Sequence, residues 1–512
     1  MFSSILFQTP QQKTSSGNSM PDEPLHDLHL DCIFDQLPEY PGQKNLQSYF
    51  RSPLKDISLI KFRQAVMADL DKEQCQKPVE TFTKVILDLE TKWSLLKETG
   101  HIPDDLMDCS QYLLLADTYL SAVTAFAKAD RSAFSSEGLI RFFQALDQYV
   151  QGPVFSSLAE TIHEVYSRLE KIHFCMLIKD GRIKIRPYED QRRLDNDVKE
   201  LFSKFSQQDI STTKAEVPKL QNLHHIDTAV LDLLARWYKE DFRELRKAAS
   251  KDSVFPDPLI LQFAEESCFY LSWQKLLRPL KNYGLPFCFA GFSDPGSRLF
   301  CNDGFDLALA LNLIKDETKV VTNSFYLENG EHSLVVTGPN QGGKTTFARF
   351  FGQAFYLASL GLSIPGTAAS LKTSDHIWTH FNQKEDLDNL SGKLQDDIVR
   401  LKKILDHTTD QSILIINEIY ASTTLQDALT LGRKMMGSIA AKGCTAVCVT
   451  FLDELASYDD STVSMMSTVD ESEPGKRNYK IIRKPADGLA HAMQLAQKYG
   501  LSFDSLSRRL KK

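Results

Sequence analysis

The chain has 512 residues, 42% hydrophobic and 25% charged, with a formal net charge of −8 at pH 7. Those are the fractions of ordinary globular protein, long enough for about two to four domains of roughly 100–200 residues and for a core that needs no disulfides. The acidic balance argues against a general nucleic-acid coat, although local basic surfaces remain compatible with it.

Residues 1–20 are polar and rich in Ser and Gln, and read as a disordered lead-in. They lack a basic region followed by an apolar run, so no signal peptide is expected, and no run of about 18 apolar residues suggests a membrane span. The nine cysteines (Cys32, Cys75, Cys109, Cys175, Cys268, Cys288, Cys301, Cys444 and Cys448) form no Cys-x-x-Cys pair and no zinc-spaced cluster. Such a set fits a reducing, cytoplasmic setting in which the thiols serve as small buried hydrophobes.

From 21 to 285 the dominant signal is helical. Apolar residues recur at three- and four-residue intervals over 78–99, 111–129, 137–151, 228–250 and 256–280, which predicts amphipathic helices. One interruption, at 172–187, carries Asp180-Gly181 between two short apolar-basic runs and predicts a β-hairpin. The polar, weakly periodic stretch 188–216 then reads as an elaborated tip on a helical arm. Lys179, Arg182, Lys184, Arg186, Arg192 and Arg193 cluster there. A solvated face explains them most simply; contact with duplex phosphates is the functional alternative.

The texture changes at 286–512. Strands are expected at 333–337, 412–416, 445–450 and 479–483, with helices at 344–360, 425–441 and 488–499. The alternation predicts an α/β domain with a largely parallel sheet. Phe347, Phe350, Phe351, Phe355 and Tyr356 fall on the first of these helices at a spacing suited to sheet packing.

The sharpest signal is Gly338-Pro339-Asn340-Gln341-Gly342-Gly343-Lys344-Thr345, a G-x-x-x-x-G-K-[ST] string placed between a strand and a helix. Glycines let backbone N–H groups turn inward around phosphate oxygens, and the helix N-terminus adds partial positive charge. Lys344 is expected to neutralise the β and γ phosphates of ATP, and the Thr345 hydroxyl to ligate Mg²⁺. Hydrolysis also needs a carboxylate after a later apolar strand, and Ile413-Leu414-Ile415-Ile416-Asn417-Glu418 supplies one. Glu418 is placed to polarise the attacking water, while Asn417 stands where an Asp usually serves the metal.

The stretch Val335-Val336-Thr337 through Thr346 resembles the phosphate loop of the MutS family of DNA mismatch-repair proteins, whose usual form is TGPNMGGKST. Ala358-Ser359-Leu360-Gly361-Leu362-Ser363-Ile364-Pro365 is similar to the family's helix end and Val-Pro turn. Ile377-Trp378-Thr379-His380-Phe381 resembles its I-F-T-R-V strand. Glu418-Ile419 followed by Ser422-Thr423-Thr424 is similar to D-E-I-G-R-G-T-S-T, and 479–499 to the closing strand, D-G turn and helix. The close likeness covers about 320–500; the helical part resembles more faintly the core and lever domains, with Asp56-Ile57 at the lever entry.

The resemblance implies a P-loop (ABC-type) ATPase domain preceded by a mostly α-helical core/lever domain. It implies that Gly338, Pro339, Asn340, Gln341, Gly342, Gly343, Lys344, Thr345 and Thr346 hold ATP and that Thr345, Asn417 and Glu418 serve Mg²⁺. Lys344, Asn417 and Glu418 would be the catalytic set, and Val320 and Val321, less surely Arg483, would pack the adenine. Ser391 falls where the family's S-T-F-M-x-E serine reaches the γ-phosphate of a partner subunit. The implied assembly is a homodimer with composite ATP sites, closing like a clamp on double-stranded or branched DNA. Structured RNA or ribosomes are an alternative target, and a nucleotide-sensing scaffold with little turnover is an alternative role.

Departures bear on that alternative. Asn417 replaces the Asp, Phe451 stands at the switch histidine of A-T-H, and Tyr420-Ala421-Ser422 replaces Gly-Arg-Gly. Because 337 residues precede Gly338, little room is expected for the mismatch-reading domain and its Phe-x-Glu wedge. Phe242-Arg243-Glu244 and Phe263-Ala264-Glu265 have the wedge spacing, but both lie in predicted helices and read as ordinary helix residues.

Overall fold

Ser333–Thr337 (β1), Ile413–Asn417 (β3) and Thr445–Val449 (β4) are short, apolar and buried along their whole length. Runs of that kind suit the middle of a parallel sheet covered on both faces. In the computed structural model they occupy that position, together with Ile377–Phe381 (β2), Thr462–Val469 (β5) and Arg477–Arg483 (β6). The order is β2-β3-β4-β1-β5-β6. All neighbours are parallel except β5 and β6, which close the sheet as an antiparallel edge pair. The structure describes residues 4–9, 12, 21–43, 46–100, 102, 104–179, 182–188, 224–250, 256–292, 297–381, 393–420, 423–469 and 477–486.

Helix Lys344–Ser359 (α1) follows β1 and is buried over nearly all its surface. Phe347, Phe350, Phe351, Phe355 and Tyr356 all belong to the core, as their spacing predicts. The ring of Phe325 lies 4.8 Å from that of Phe351 and 5.6 Å from that of Phe350. Phe325 comes from a second sheet, ordered Gly291–Phe292, Ala368–Leu371, Leu299–Gly304, Asn323–Leu327. Helices Lys393–His407 (α2) and Leu425–Lys442 (α3) complete the α/β layers. Gly443 ends α3 at φ 66°, the left-handed conformation that glycine adopts without penalty.

The chain divides into two compact units, 1–83 with 130–144 and 262–512, and 84–129 with 145–261. The division does not follow the textural change at 285, because the helices Ile57–Leu70 and most of Pro258–Asn282 belong with the α/β half. The lead-in also needs correction. Ser4–Phe7 is buried, with Ile5 and Leu6 fully enclosed. The buried Glu266 carboxylate accepts hydrogen bonds from Ser4 Oγ (2.7 Å) and Ile5 N (2.8 Å). Arg63, itself buried, donates to Leu6 O (3.1 Å) and Leu360 O (3.4 Å). A polar Ser/Gln composition hid the apolar triplet Ile5-Leu6-Phe7, whose burial outweighs the entropy of ordering so short a segment.

The second unit is helical, with Leu106–Ala127, Pro153–Leu169 and Lys239–Ser250 packed together. The stretch 228–250, expected as one helix, is two: His224–Trp237 and Lys239–Ser250. Tyr238 separates them, and its hydroxyl donates to His173 O at 3.2 Å. The expected hairpin forms between Phe174–Lys179 and Arg182–Pro187, pairing Lys179 with Arg182. Arg192, Arg193 and the remainder of the expected tip, 189–216, lie outside the described residues, as does the expected helix 488–499. Phe242 and Phe263 are buried helix residues and present no wedge.

Candidate functional site

The sheet order sets the site. β4 lies between β1 and β3, so the loop after β1 and the carboxylate after β3 emerge at the same carboxyl edge, where open α/β sheets bind ligands. Thr450 N donates to Val336 O (3.1 Å) and Glu418 N to Val449 O (2.9 Å), which ties the three strand ends together.

The loop 338–343 turns through left-handed conformations at Gly338 (φ 111°), Gln341 (φ 60°) and Gly343 (φ 89°). α1 begins immediately afterwards at Lys344. The N–H groups of its first turn have no acceptor within the helix and face the loop's concavity. Lys344 is only 4% exposed, and its Nζ donates to Gly338 O (2.8 Å), Pro339 O (3.2 Å) and Asn340 Oδ1 (3.4 Å). Burial lowers its pKa below the ordinary lysine value and Arg477 acts in the same direction, while Glu418 and Asp453 oppose them. An added anion would relieve this burdened cation.

Thr345 Oγ1 donates to Asn417 Oδ1 at 3.0 Å. These two hard oxygens, with the Glu418 carboxylate on the same cavity wall, form a donor set suited to Mg²⁺. Glu418 holds a left-handed backbone (φ 54°), a conformation that turns the chain sharply at the strand end.

These residues open on one cavity of about 450 Å³. Gln341, Gly342, Gly343, Lys344, Thr345 and Thr346 line it. Leu309, Leu313, Val320 and Val321 line it as well, so a polar anion cradle and apolar side chains share one space. Asp306 also lines the cavity and caps the helix Leu307–Leu313 through Leu309 N. Its burial raises its pKa, against hydrogen bonding from Gln353 and Leu309.

Of the expected site residues, Val320, Val321, Gln341, Gly342, Gly343, Lys344, Thr345, Thr346 and Glu418 meet around this cavity. Gly338, Pro339 and Asn340 support it through Lys344, and Asn417 through Thr345. Ser391 lies outside the described residues, as do Ala421 and Ser422. Arg483 is not on the wall: it forms an ion pair with Glu331 and lies over the Tyr326 ring, 4.7 Å from its centroid. Two residues that sequence reasoning passed over belong here. Ser467 on β5 donates from Oγ to Gly342 O at 2.8 Å, and Tyr479 on β6 lines the cavity. Neither belongs to the phosphate-loop string or to the Glu418 strand motif; β5 carries them to the loop by pairing with β1 on one side and β6 on the other.

A family model described as MutS domain V matches residues 334–506. The DNA mismatch repair protein MutS of Thermotoga sp. (strain RQ2) is 21% identical over 476 residues, covering 88% of this chain and 58% of that protein. Residues 334–506 thus carry a MutS domain V, and the chain is similar over most of its length to MutS-family proteins. DNA mismatch repair protein MutS of Thermosipho melanesiensis (strain DSM 12029 / CIP 104789 / BI429) is 20% identical over 90% of this chain and 58% of its own length. Endonuclease MutS2 of Alkaliphilus oremlandii (strain OhILAs) is 28% identical over 196 residues, 38% of this chain and 25% of that relative. The chain thus spans little more than half the length of these two MutS relatives.

Within this MutS-family frame the departures have definite surroundings. Asn417 is buried and bonded to the loop threonine. Phe451 projects with 46% of its surface exposed, just beyond the Thr450 that ties β4 to β1. Tyr420 is buried in a left-handed conformation (φ 62°), among the core residues behind β3. Thr424 caps α3, its Oγ1 accepting from Asp427 N at 3.2 Å. Among the described residues no helix is long and apolar enough to cross a membrane.

Proposed function

We propose that this chain is a DNA-binding ATPase of the MutS type. In this reading it works as a homodimer whose ATP sites are completed by Ser391 of the opposite subunit, and ATP binding drives clamp-like closure on duplex or branched DNA. The observation that carries the ATPase reading is the one cavity lined both by Lys344, Thr345 and Glu418 and by the apolar Val320 and Val321. The triphosphate occupies the ring of loop amides, and Lys344 exchanges its bonds to Gly338, Pro339 and Asn340 for phosphate oxygens. Thr345 and Asn417 are the residues that would hold Mg²⁺, which would supply positive charge against that of the phosphates. Glu418 orients water for in-line attack on the γ-phosphorus and accepts its proton. Closure follows from a higher affinity of ATP for the closed than for the open dimer.

The DNA-binding part rests on the likeness to MutS proteins and on the basic hairpin residues Lys184 and Arg186. A second reading, a nucleotide-sensing scaffold with little turnover, is favoured by the neutral Asn417 beside Thr345 and by Phe451.

Steady-state phosphate release separates the two. Glu418→Ala is expected to lower turnover by about 10²–10⁴-fold, the usual worth of a general base, with ATP binding retained. Lys344→Ala is expected to lose binding. If wild type and Glu418→Ala both release phosphate at background, the enzyme reading fails and the sensor remains. Nucleotide-dependent binding to duplex, mismatched and branched DNA and to structured RNA, over a salt series, tests the target; no response to DNA removes the clamp. Mixing Lys344→Ala with Ser391→Ala protein tests composite sites, which predict altered turnover in the mixture.

A further inference from the structure

We infer that Tyr479 is the aromatic surface on which the base and ribose of the bound nucleotide rest. The inference builds on the proposed nucleotide reading of the cavity and names a positioning residue that the loop motif does not contain.

Two aromatic rings line the cavity among the described residues, Phe305 and Tyr479. Phe305 is 3% exposed, and its ring is engaged edge-on by Phe287, centroids 5.6 Å apart. Tyr479 is 49% exposed, so it alone of the two has a face to offer. It stands directly beside the phosphate loop: a Cβ placed on Gly343 would lie 3.6 Å from the Cβ of Tyr479. The apolar residues Val320 and Val321 line the same cavity. A flat ring next to the last loop glycine, in a space shared with apolar side chains, suits the part of a nucleotide that adjoins its phosphates.

The backbone explains how the side chain is aimed. Tyr479 has φ 57°, a conformation that a bulky non-glycine residue rarely adopts. Pairing of β5 with β6 shifts register at this point: Ser467 faces Ile481, but Val469 faces Arg477. The irregularity is built and held. Asn323 Nδ2 donates to Tyr479 O (3.1 Å), and Asn323 Oδ1 accepts from Ile481 N (2.8 Å). Asn478 Oδ1 accepts from Lys480 N and from Thr468 Oγ1, both at 3.0 Å. Bulges re-aim side chains near functional sites, and strained backbone persists where its surroundings over-determine it. Arg483, also on this strand, is committed to Glu331 and Tyr326 and does not line the cavity.

The test compares Mg-ATP with Mg-tripolyphosphate, which carries the phosphates without base or ribose, by isothermal titration. Tyr479→Gly suits the left-handed backbone and removes only the ring, so folding is retained. It is expected to weaken ATP binding about tenfold, or about 1.4 kcal/mol, and to leave tripolyphosphate binding unchanged. Tyr479→Phe is expected to bind ATP as wild type does. In Tyr479→Trp the added fluorescence should change with ATP and stay constant with tripolyphosphate. If Tyr479→Gly binds ATP with wild-type affinity while Lys344→Ala loses it, Tyr479 is a bystander and the nucleotide reading stands. Equal losses for ATP and tripolyphosphate, or a tryptophan signal blind to ATP, overturn the inference too. Wild-type protein that binds neither ligand overturns both the inference and the reading beneath it.

Discussion

Replacing Gly342 with alanine tests whether β5 braces the phosphate loop. The alanine Cβ would lie 2.2 Å from Ser467 Oγ and 2.9 Å from Pro339 O. Ordinary contact begins near 3.4 Å, so Oγ and the new methyl must separate by about 1.2 Å. Ser467 is 1% exposed and its Oγ is bonded to Gly342 O at 2.8 Å, so it has no free space and loses a hydrogen bond when it turns. Crowding costs about 1–3 kcal/mol and the lost bond about 0.5–1.5 kcal/mol, which places the destabilisation at about 1.5–4.5 kcal/mol. If the loop yields instead, a displacement of about 1 Å at a reacting centre lowers turnover roughly 10²-fold. Thermal unfolding and steady-state ATPase of Gly342→Ala, Ser467→Ala and the double variant measure both routes. Ser467→Ala alone is expected to cost about 1 kcal/mol, and in the Gly342→Ala background to restore much of the loss, an interaction characteristic of touching side chains. Wild-type stability and turnover in Gly342→Ala, or no recovery in the double variant, would refute the bracing argument.

Asn417→Asp adds a full charge beside Thr345. Half-saturation by Mg²⁺ in the ATPase assay is expected to fall about tenfold and turnover to rise; an unchanged Mg²⁺ dependence would remove Asn417 from the metal site. In the magnesium-free protein the same carboxylate, buried near Glu418, is expected to lower the melting temperature. Asp69 supplies a pH prediction. Burial alone would raise its pKa, but the Lys72 ammonium at 2.9 Å and the donors of Ser136 and Ser135 outweigh it and bring it down to about 2. That lies below the unfolded value of about 3.9, so its contribution is complete above about pH 4 and fades as pH falls towards 2. Asp69→Asn is expected to cost about 1.5–3 kcal/mol at neutral pH and to flatten the acid limb of a melting-temperature profile; a limb of unchanged steepness would show that other carboxylates set it.

What was legible in the residues was local. The spacing of Gly338, Gly342, Gly343, Lys344 and Thr345 requires a backbone that turns inward and then enters a helix, and Ile413–Asn417 followed by Glu418 requires a buried strand with a carboxylate at its end. Each motif spans under ten residues, so near neighbours alone decide its conformation. The helices at 78–99, 111–129 and 137–151 were equally readable, because a 3.6-residue period is written in consecutive residues. The mixed Thr, Ser and Met pattern of Thr462–Val469 has little strand signature of its own; the segment becomes a strand by pairing with β1.

Tertiary structure alone decided the partners. The order β2-β3-β4-β1-β5-β6 brings Glu418 and Lys344 to one cavity, and nothing in either motif states which strand separates them. It delivers Ser467 against Gly342 and Tyr479 beside Gly343, across 125 and 136 residues of chain. It turns Arg483 to Glu331 and buries Ile5, Leu6 and Phe7 of a segment whose composition reads as loose. The physical reason is common to all of these. A residue's local propensity depends on its neighbours in sequence, whereas burial, ion pairing and side-chain clearance depend on groups that only the folded chain brings within a few ångströms.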